Sequence, residues 1–120
     1  MTELEQQIIG IISAAGDSKG KAFEALRKVK ESDYEGARAL LEESRKIDLE
    51  AHKIQTKLIQ SEMDPEAEKP ELSLLMVHAQ DHYMTSQLAR DVIESLAGAV
   101  TAHGSCAGSL YDQPAGKRRH

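Results

Sequence analysis

The stretch Leu72–Leu88, LSLLMVHAQDHYMTSQL, decides the fold. Its apolar residues recur every three or four positions, the spacing of a helix face. At about 100° per residue, Leu74, Val77, Asp81, Met84, Leu88 and Val92 fall on one narrow stripe. Leu75, Ala79, His82, Ala89 and Ile93 make a second apolar strip beside it, and Met76, Gln80, Tyr83, Gln87, Arg90 and Glu94 turn the other way. A helix in a three-helix monomer needs about one apolar stripe. Two adjacent strips imply contact with the helix's own bundle and with another subunit, and Leu74, Val77, Met84 and Leu88 read as core.

The flanking sequence supplies two more helices. From Thr2 to Lys30, Leu4, Ile8, Ile11, Ala15, Ala22, Ala25 and Val29 recur at helical spacing. Gly10, Gly16 and Gly20 interrupt that pattern, each costing about 1 kcal/mol against Ala, so the spacing predicts a long, irregular helix that either bends near GDSKG or meets another backbone there. SDYE at 32–35 reads as a capping box, with Ser32 as N-cap and Glu35 reaching back. Ala37, Leu40, Ser44, Ile47, Ala51, Ile54 and Leu58 then mark a heptad seam, and the charged residues between them read as a solvated face. MDPEAEKPE is a connector, and Pro70 suits the first turn of the third helix, which continues to about Val100. The expected architecture is all-α, an antiparallel three-helix bundle over residues 1–100. Residues 101–120 read as a poorly ordered Gly/Ala/Ser-rich tail with a basic end.

Bulk composition narrows the function classes. The chain has 120 residues, 40% hydrophobic but only 3% aromatic, so its core must be aliphatic. A net charge of −5 argues against nucleic acid, whose phosphates call for a basic surface. Cys106 is the single cysteine and is read as a bystander, so no disulfide framework exists and a cytoplasmic setting is expected. IIGIISAA is too short an apolar run to cross a bilayer.

Ionisable groups on an apolar stripe must be paired, metal-bound or used. Asp81 sits where a seam wants Leu or Ile, and polar residues at such positions fix register and oligomer state. Around a cyclic axis its copies would meet, and like carboxylates stay ionised only with a cation or shared protons. A hard ion such as Mg²⁺ suits an all-oxygen ring, whereas a lone Asp bonded within its own bundle needs none. His78 lies one turn before His82. Three readings stay open for the pair: packing, a metal site with Asp81 and a second segment (His52 being one donor, otherwise an ordinary helix-surface histidine), or a nucleophilic His78 carrying a covalent group. Gln80 points about 160° away from His78, so the two serve one ligand only across a subunit boundary.

The segment ELSLLMVHAQDHYMTSQLARDVIE resembles the third-helix motif of the lactose/cellobiose-type enzyme IIA of the bacterial phosphoenolpyruvate-dependent sugar phosphotransferase system. AFEAL at 22–26, EGARALLEE at 35–43 and EAHKIQTKLIQSE at 50–62 are similar to that family's first two helices, so the resemblance spans about residues 3–96. It implies a trimer of three-helix subunits in which His78 is the phosphorylated histidine. Phosphate would arrive from the histidine-containing phosphocarrier protein and leave to a cysteine of enzyme IIB, with the membrane enzyme IIC associated indirectly. The resemblance further implies that Asp81 holds an axial divalent cation, that Gln80 supports transfer near a neighbouring chain's histidine, and that His82 has a supporting or packing role. A β-disaccharide such as lactose, cellobiose or chitobiose is the implied cargo. A helical scaffold without chemistry is the competing reading. The stretch from Ser95 to the basic end departs from the family pattern, and no family role carries over to it.

Overall fold

The computed structural model describes the backbone of residues 1–112 and the side chains of residues 1–100. Helix α1 (Glu3–Lys30) starts where Thr2 Oγ1 accepts from the Glu5 amide at 3.0 Å. Acids in its first turn and bases in its last complement the backbone dipole. The helix is continuous through all three glycines. A Cβ at Gly16 or Gly20 would have no neighbour within 4 Å, so no close backbone approach explains those two residues.

At its end, α1 closes with two bonds: Ser32 N–H donates to Val29 O at 3.0 Å and Asp33 N–H to Lys28 O at 2.8 Å. This is a Schellman turn with Ser32 in the left-handed position, φ 63°. Ser32 therefore ends α1 rather than capping α2. The N-cap of α2 (Tyr34–Met63) is Asp33, whose Oδ1 accepts from the Gly36 amide at 3.0 Å. A Cβ on Gly36 would collide with that carboxylate, so the residue after Glu35 has to be small. The predicted Ser32–Glu35 box is thus displaced by one residue, because Ser32 is consumed by the turn before it.

Helix α2 ends at a connector, residues 64–73. Lys69 Nζ folds back onto its free carbonyls, donating to Glu62 O at 2.6 Å and Asp64 O at 2.7 Å. Helix α3 (Leu74–Asp112) is capped by Ser73, whose Oγ accepts from the Met76 amide at 3.1 Å. Pro70 accordingly lies in the connector and not in the first turn. The helix also runs past Val100, through the first twelve residues assigned to the tail; residues 113–120, with the basic end, lie outside those described. The three helices form an elongated bundle of 67 × 24 × 20 Å, and no strand occurs among the described residues.

The core falls into two apolar clusters. One joins Ile8, Ile11, Ala51, Leu58, Met76, Ala79 and Tyr83; the other joins Ala22, Ala25, Val29, Ala37, Leu41, Ile93 and Ala97. Between them lies a polar layer of Ser18, Ser44, Asp48 and Ser86, all buried. Ser18 and Ser44 exchange hydroxyl-to-carbonyl bonds at 3.0 and 2.8 Å, which draws α1 and α2 together at mid-height. Along the α2 seam the buried positions are Leu41 and Asp48 instead of the predicted Leu40 and Ile47. Asp48 goes inside because Arg90 of α3 pairs with it.

The faces of α3 differ most from expectation. Met76 and Tyr83, assigned to the outward side, are buried in the bundle, and Gln80, Gln87, Arg90 and Glu94 border it half-buried. Leu74, Val77, Met84 and Leu88, read as core, are 85%, 50%, 62% and 63% exposed on this chain. The physical reason is that α2 and α3 scarcely touch through apolar contact. Long polar side chains bridge them, while α1 packs closely on both. The most apolar stripe of α3 is thereby left facing out of the bundle.

Candidate functional site

The capped start of α3 sets the positions of the predicted site residues. His78 stands exposed just beyond the first turn, at the edge of the outward stripe. His82, one turn on and half-buried, packs against it edge-to-face, with ring centroids 4.5 Å apart and an interplanar angle of 74°. Asp81 is exposed on the stripe between Val77 and Met84. Its main-chain carbonyl accepts from Thr85 Oγ1 at 2.7 Å, and no side chain among the described residues binds its carboxylate.

The structure thus brings His78, Asp81 and His82 to one side of α3 and leaves Gln80 on the other. Gln80 lies in the α2–α3 seam, where Gln55 Nε2 donates to its Oε1. His52 is also in that seam: its Nδ1 lies 3.1 Å from the Tyr83 hydroxyl, which also accepts from Gln87 Nε2 at 2.9 Å. His52 is thus an exposed helix-surface histidine, as expected, but one with a partner in Tyr83 rather than in the His78–His82 pair. Among the described residues, no group of three His, Cys, Asp or Glu side chains is gathered as a metal site within the chain.

Four cross-links run along the seam in order. Gln55 meets Gln80, His52 meets Tyr83, Asp48 meets Arg90, and Arg45 meets Glu94. Burial of the Tyr83 hydroxyl, with the Asp48 carboxylate nearby, pushes its pKa above the ordinary tyrosine value, partly offset by Arg90. Hydrogen bonding to Glu94 likewise holds the Arg45 guanidinium above its usual value. The sequence did carry a signal for this ladder. Positions 45, 48, 52 and 55 alternate three- and four-residue steps, as do 80, 83, 87, 90 and 94, so each helix carries a polar stripe at helical period.

Chemically, the outward side offers an accessible imidazole beside a strip of exposed leucine, valine and methionine. A neutral imidazole is a nucleophile near neutral pH, and an exposed one can be reached by a protein donor. The adjacent strip, with Leu74, Val77, Met84 and Leu88 all exposed along one side of α3, is the kind of contiguous apolar surface that marks an interaction site.

Comparison with known proteins identifies the family and the fold. The N,N'-diacetylchitobiose-specific EIIA component of Escherichia coli K12 is 44% identical over 94 residues, covering 78% of this chain and 79% of that protein. The crystal structure of the PTS cellobiose-specific enzyme IIA from Bacillus anthracis superposes with a TM-score of 0.80 at 31% identity, covering 88% of this chain and 94% of that one. A chain from the solution structures of the E. coli IIA(chitobiose)–HPr complex gives a TM-score of 0.71 at 38% identity, covering 87% and 99%. Residues 6–101 match the family described as "PTS system, Lactose/Cellobiose specific IIA subunit". With four-fifths of its length matched and its helices superposing on solved relatives, the chain belongs to the lactose/cellobiose-specific IIA subunits of the phosphotransferase system.

Proposed function

We propose that this protein is a cytoplasmic phosphoryl carrier: His78 accepts phosphate from HPr and passes it to the cysteine of enzyme IIB, which serves a membrane-bound IIC permease. The observation that carries this reading is the exposure of His78 on α3, at the rim of an uncovered apolar face. A relative solved in complex with HPr supports the choice of donor. No helix among the described residues is long and apolar enough to cross a membrane, so anchoring would fall to the permease.

In the accepting step, an imidazole nitrogen of His78 attacks phosphorus as the phosphorus–nitrogen bond of the donor's phosphohistidine breaks. In the donating step the His78 bond breaks as a phosphorus–sulfur bond forms on enzyme IIB. Both are in-line transfers for which positioning and charge stabilisation supply most of the catalysis. His82, packed edge-on against His78, limits the swing of the accepting ring. Gln80 is a neutral donor that would steady phosphoryl oxygens from a neighbouring chain without trapping them.

The exposed stripe is the surface on which three copies would assemble, with Leu74, Val77, Met84 and Leu88 in the shared seam. Asp81 would bring one carboxylate per chain to the axis. A carboxylate without a partner among the described residues, set among apolar neighbours, fits a hard divalent cation such as Mg²⁺. The ion's contribution there would be neutralisation of like charge. A β-disaccharide such as chitobiose, cellobiose or lactose is the cargo this reading implies.

The test is phosphorylation with phosphoenolpyruvate, the general phosphotransferase enzymes and Mg²⁺, followed by mapping of acid-labile phosphate. Label is expected on His78 and lost in His78→Gln. Equal labelling of that variant would overturn the assignment.

A further inference from the structure

We propose that Gln55 of α2 is a positioning residue that anchors the Gln80 amide where it meets the transferring phosphoryl group. The inference rests on the reading of Gln80 as a donor to that group.

A glutamine side chain carries an acceptor oxygen and a donor NH₂ on the same carbon, and rotation by about half a turn exchanges them. For a group meant to meet phosphoryl oxygens, one orientation stabilises and the other repels. Gln80 is half-buried in the α2–α3 seam, and its Oε1 is taken by the hydrogen bond donated from Gln55 Nε2. With the acceptor occupied, the two Nε2 hydrogens of Gln80 are the free end of the amide; no described residue accepts from them. Gln55 is itself half-buried on α2 and so anchors the Gln80 side chain from outside the helix that carries His78 and Gln80. The next rung, His52–Tyr83–Gln87, braces the same seam one turn further along. Phosphate chemistry remains at His78: the phosphorus–nitrogen bond to His78 forms as the donor's breaks, and the glutamines exchange no proton or bond.

The test measures the rate of phosphoryl transfer from phosphorylated HPr to the assembled protein, with kcat and KM separated. Gln55→Met removes the donor without adding charge, and Gln55→Glu can only accept, so it should draw the Gln80 NH₂ inward and present the oxygen instead. Both are to be measured alone and combined with Gln80→Leu, with circular dichroism and sedimentation confirming an unchanged assembly. The expected result is a kcat lowered about tenfold in Gln55→Met and further in Gln55→Glu, the scale of one misplaced hydrogen bond to an ionised group. KM for HPr should stay unchanged, and neither substitution should lower the rate further once Gln80 is Leu. That last result separates positioning from a general field or stability effect, which would persist in the double variants. If Gln80→Leu transfers slowly while both Gln55 variants match the wild type, positioning by Gln55 is overturned and the role of Gln80 stands. If Gln80→Leu transfers as fast as the wild type, the role of Gln80 and the positioning inference fall together, while His78 is untouched.

Discussion

Asp48 and Arg90 show how much a single residue can depend on one partner. Their side chains are 4% and 12% exposed, and Asp48 Oδ1 and Arg90 Nε have no hydrogen-bond partner. A buried ion pair of this kind contributes little net stability, yet removing one member strands the other charge. Asp48→Ala is expected to destabilise the fold by about 3–5 kcal/mol in urea unfolding. The paired change Asp48→Leu with Arg90→Met should be near neutral or stabilising. A loss in the double variant as large as in the single one would show that the pair itself holds the bundle. Tyr83, two turns before Arg90 on α3, gives the pH arm. Its raised pKa means that the folded state keeps its proton where the unfolded chain has lost it. Its contribution is complete below the ordinary tyrosine value of about 10 and is lost as pH climbs through the raised value. Stability should therefore fall in that alkaline window in the wild type, and less so in Tyr83→Phe.

At the scale of the element, the boundaries of α1 offer the clearest gain. Ser32 holds a left-handed φ that favours glycine, so Ser32→Gly should raise stability by about 0.5–1 kcal/mol while keeping both closing bonds. Gly16→Ala should add a similar amount, since a Cβ there meets nothing and the helix gains propensity; thermal melts would register both. Three helices, the approximate limits of α1 and α2 and the apolar positions of α1 were legible from period alone, because Ile8, Ile11, Ala15 and Val29 obey one rule wherever their partners lie. The faces of α3 were not legible in the same way. Periodicity identifies its most apolar stripe but does not say whether that stripe meets its own chain, and residues such as Arg90 and Gln87 look solvated until a partner on α2 is found. The site shows the same division. His78 and Asp81 were legible as ionisable groups misplaced on an apolar stripe, whereas the Gln55–Gln80 and His52–Tyr83 pairings depend on the register between α2 and α3, which neither helix specifies alone.

For the whole molecule, the decisive feature is that the residues closing the bundle are distinct from the exposed apolar stripe of α3, the surface proposed for assembly. Ile8, Ile11, Tyr83 and Ile93 close the bundle, while Met84, Leu88, Val92 and Leu96 remain uncovered on α3. A charge on the stripe should therefore break the assembly and spare the subunit. Leu88→Lys is expected to reduce the sedimentation mass from three chains to one, with helicity and cooperative unfolding retained. Its phosphorylation by HPr should fall along with the mass, since the neighbouring Gln80 would be missing although His78 is intact. Asp81→Leu separates charge from packing on the same stripe. It should remain trimeric, melt higher than the wild type in chelator, and lose the response to added Mg²⁺ that the wild type is expected to show. A monomeric Asp81→Leu protein would mean that the carboxylate specifies the assembly. A Leu88→Lys protein that stays trimeric and transfers phosphate normally would mean that the chains meet through some other face, and that the exposed stripe belongs to a partner.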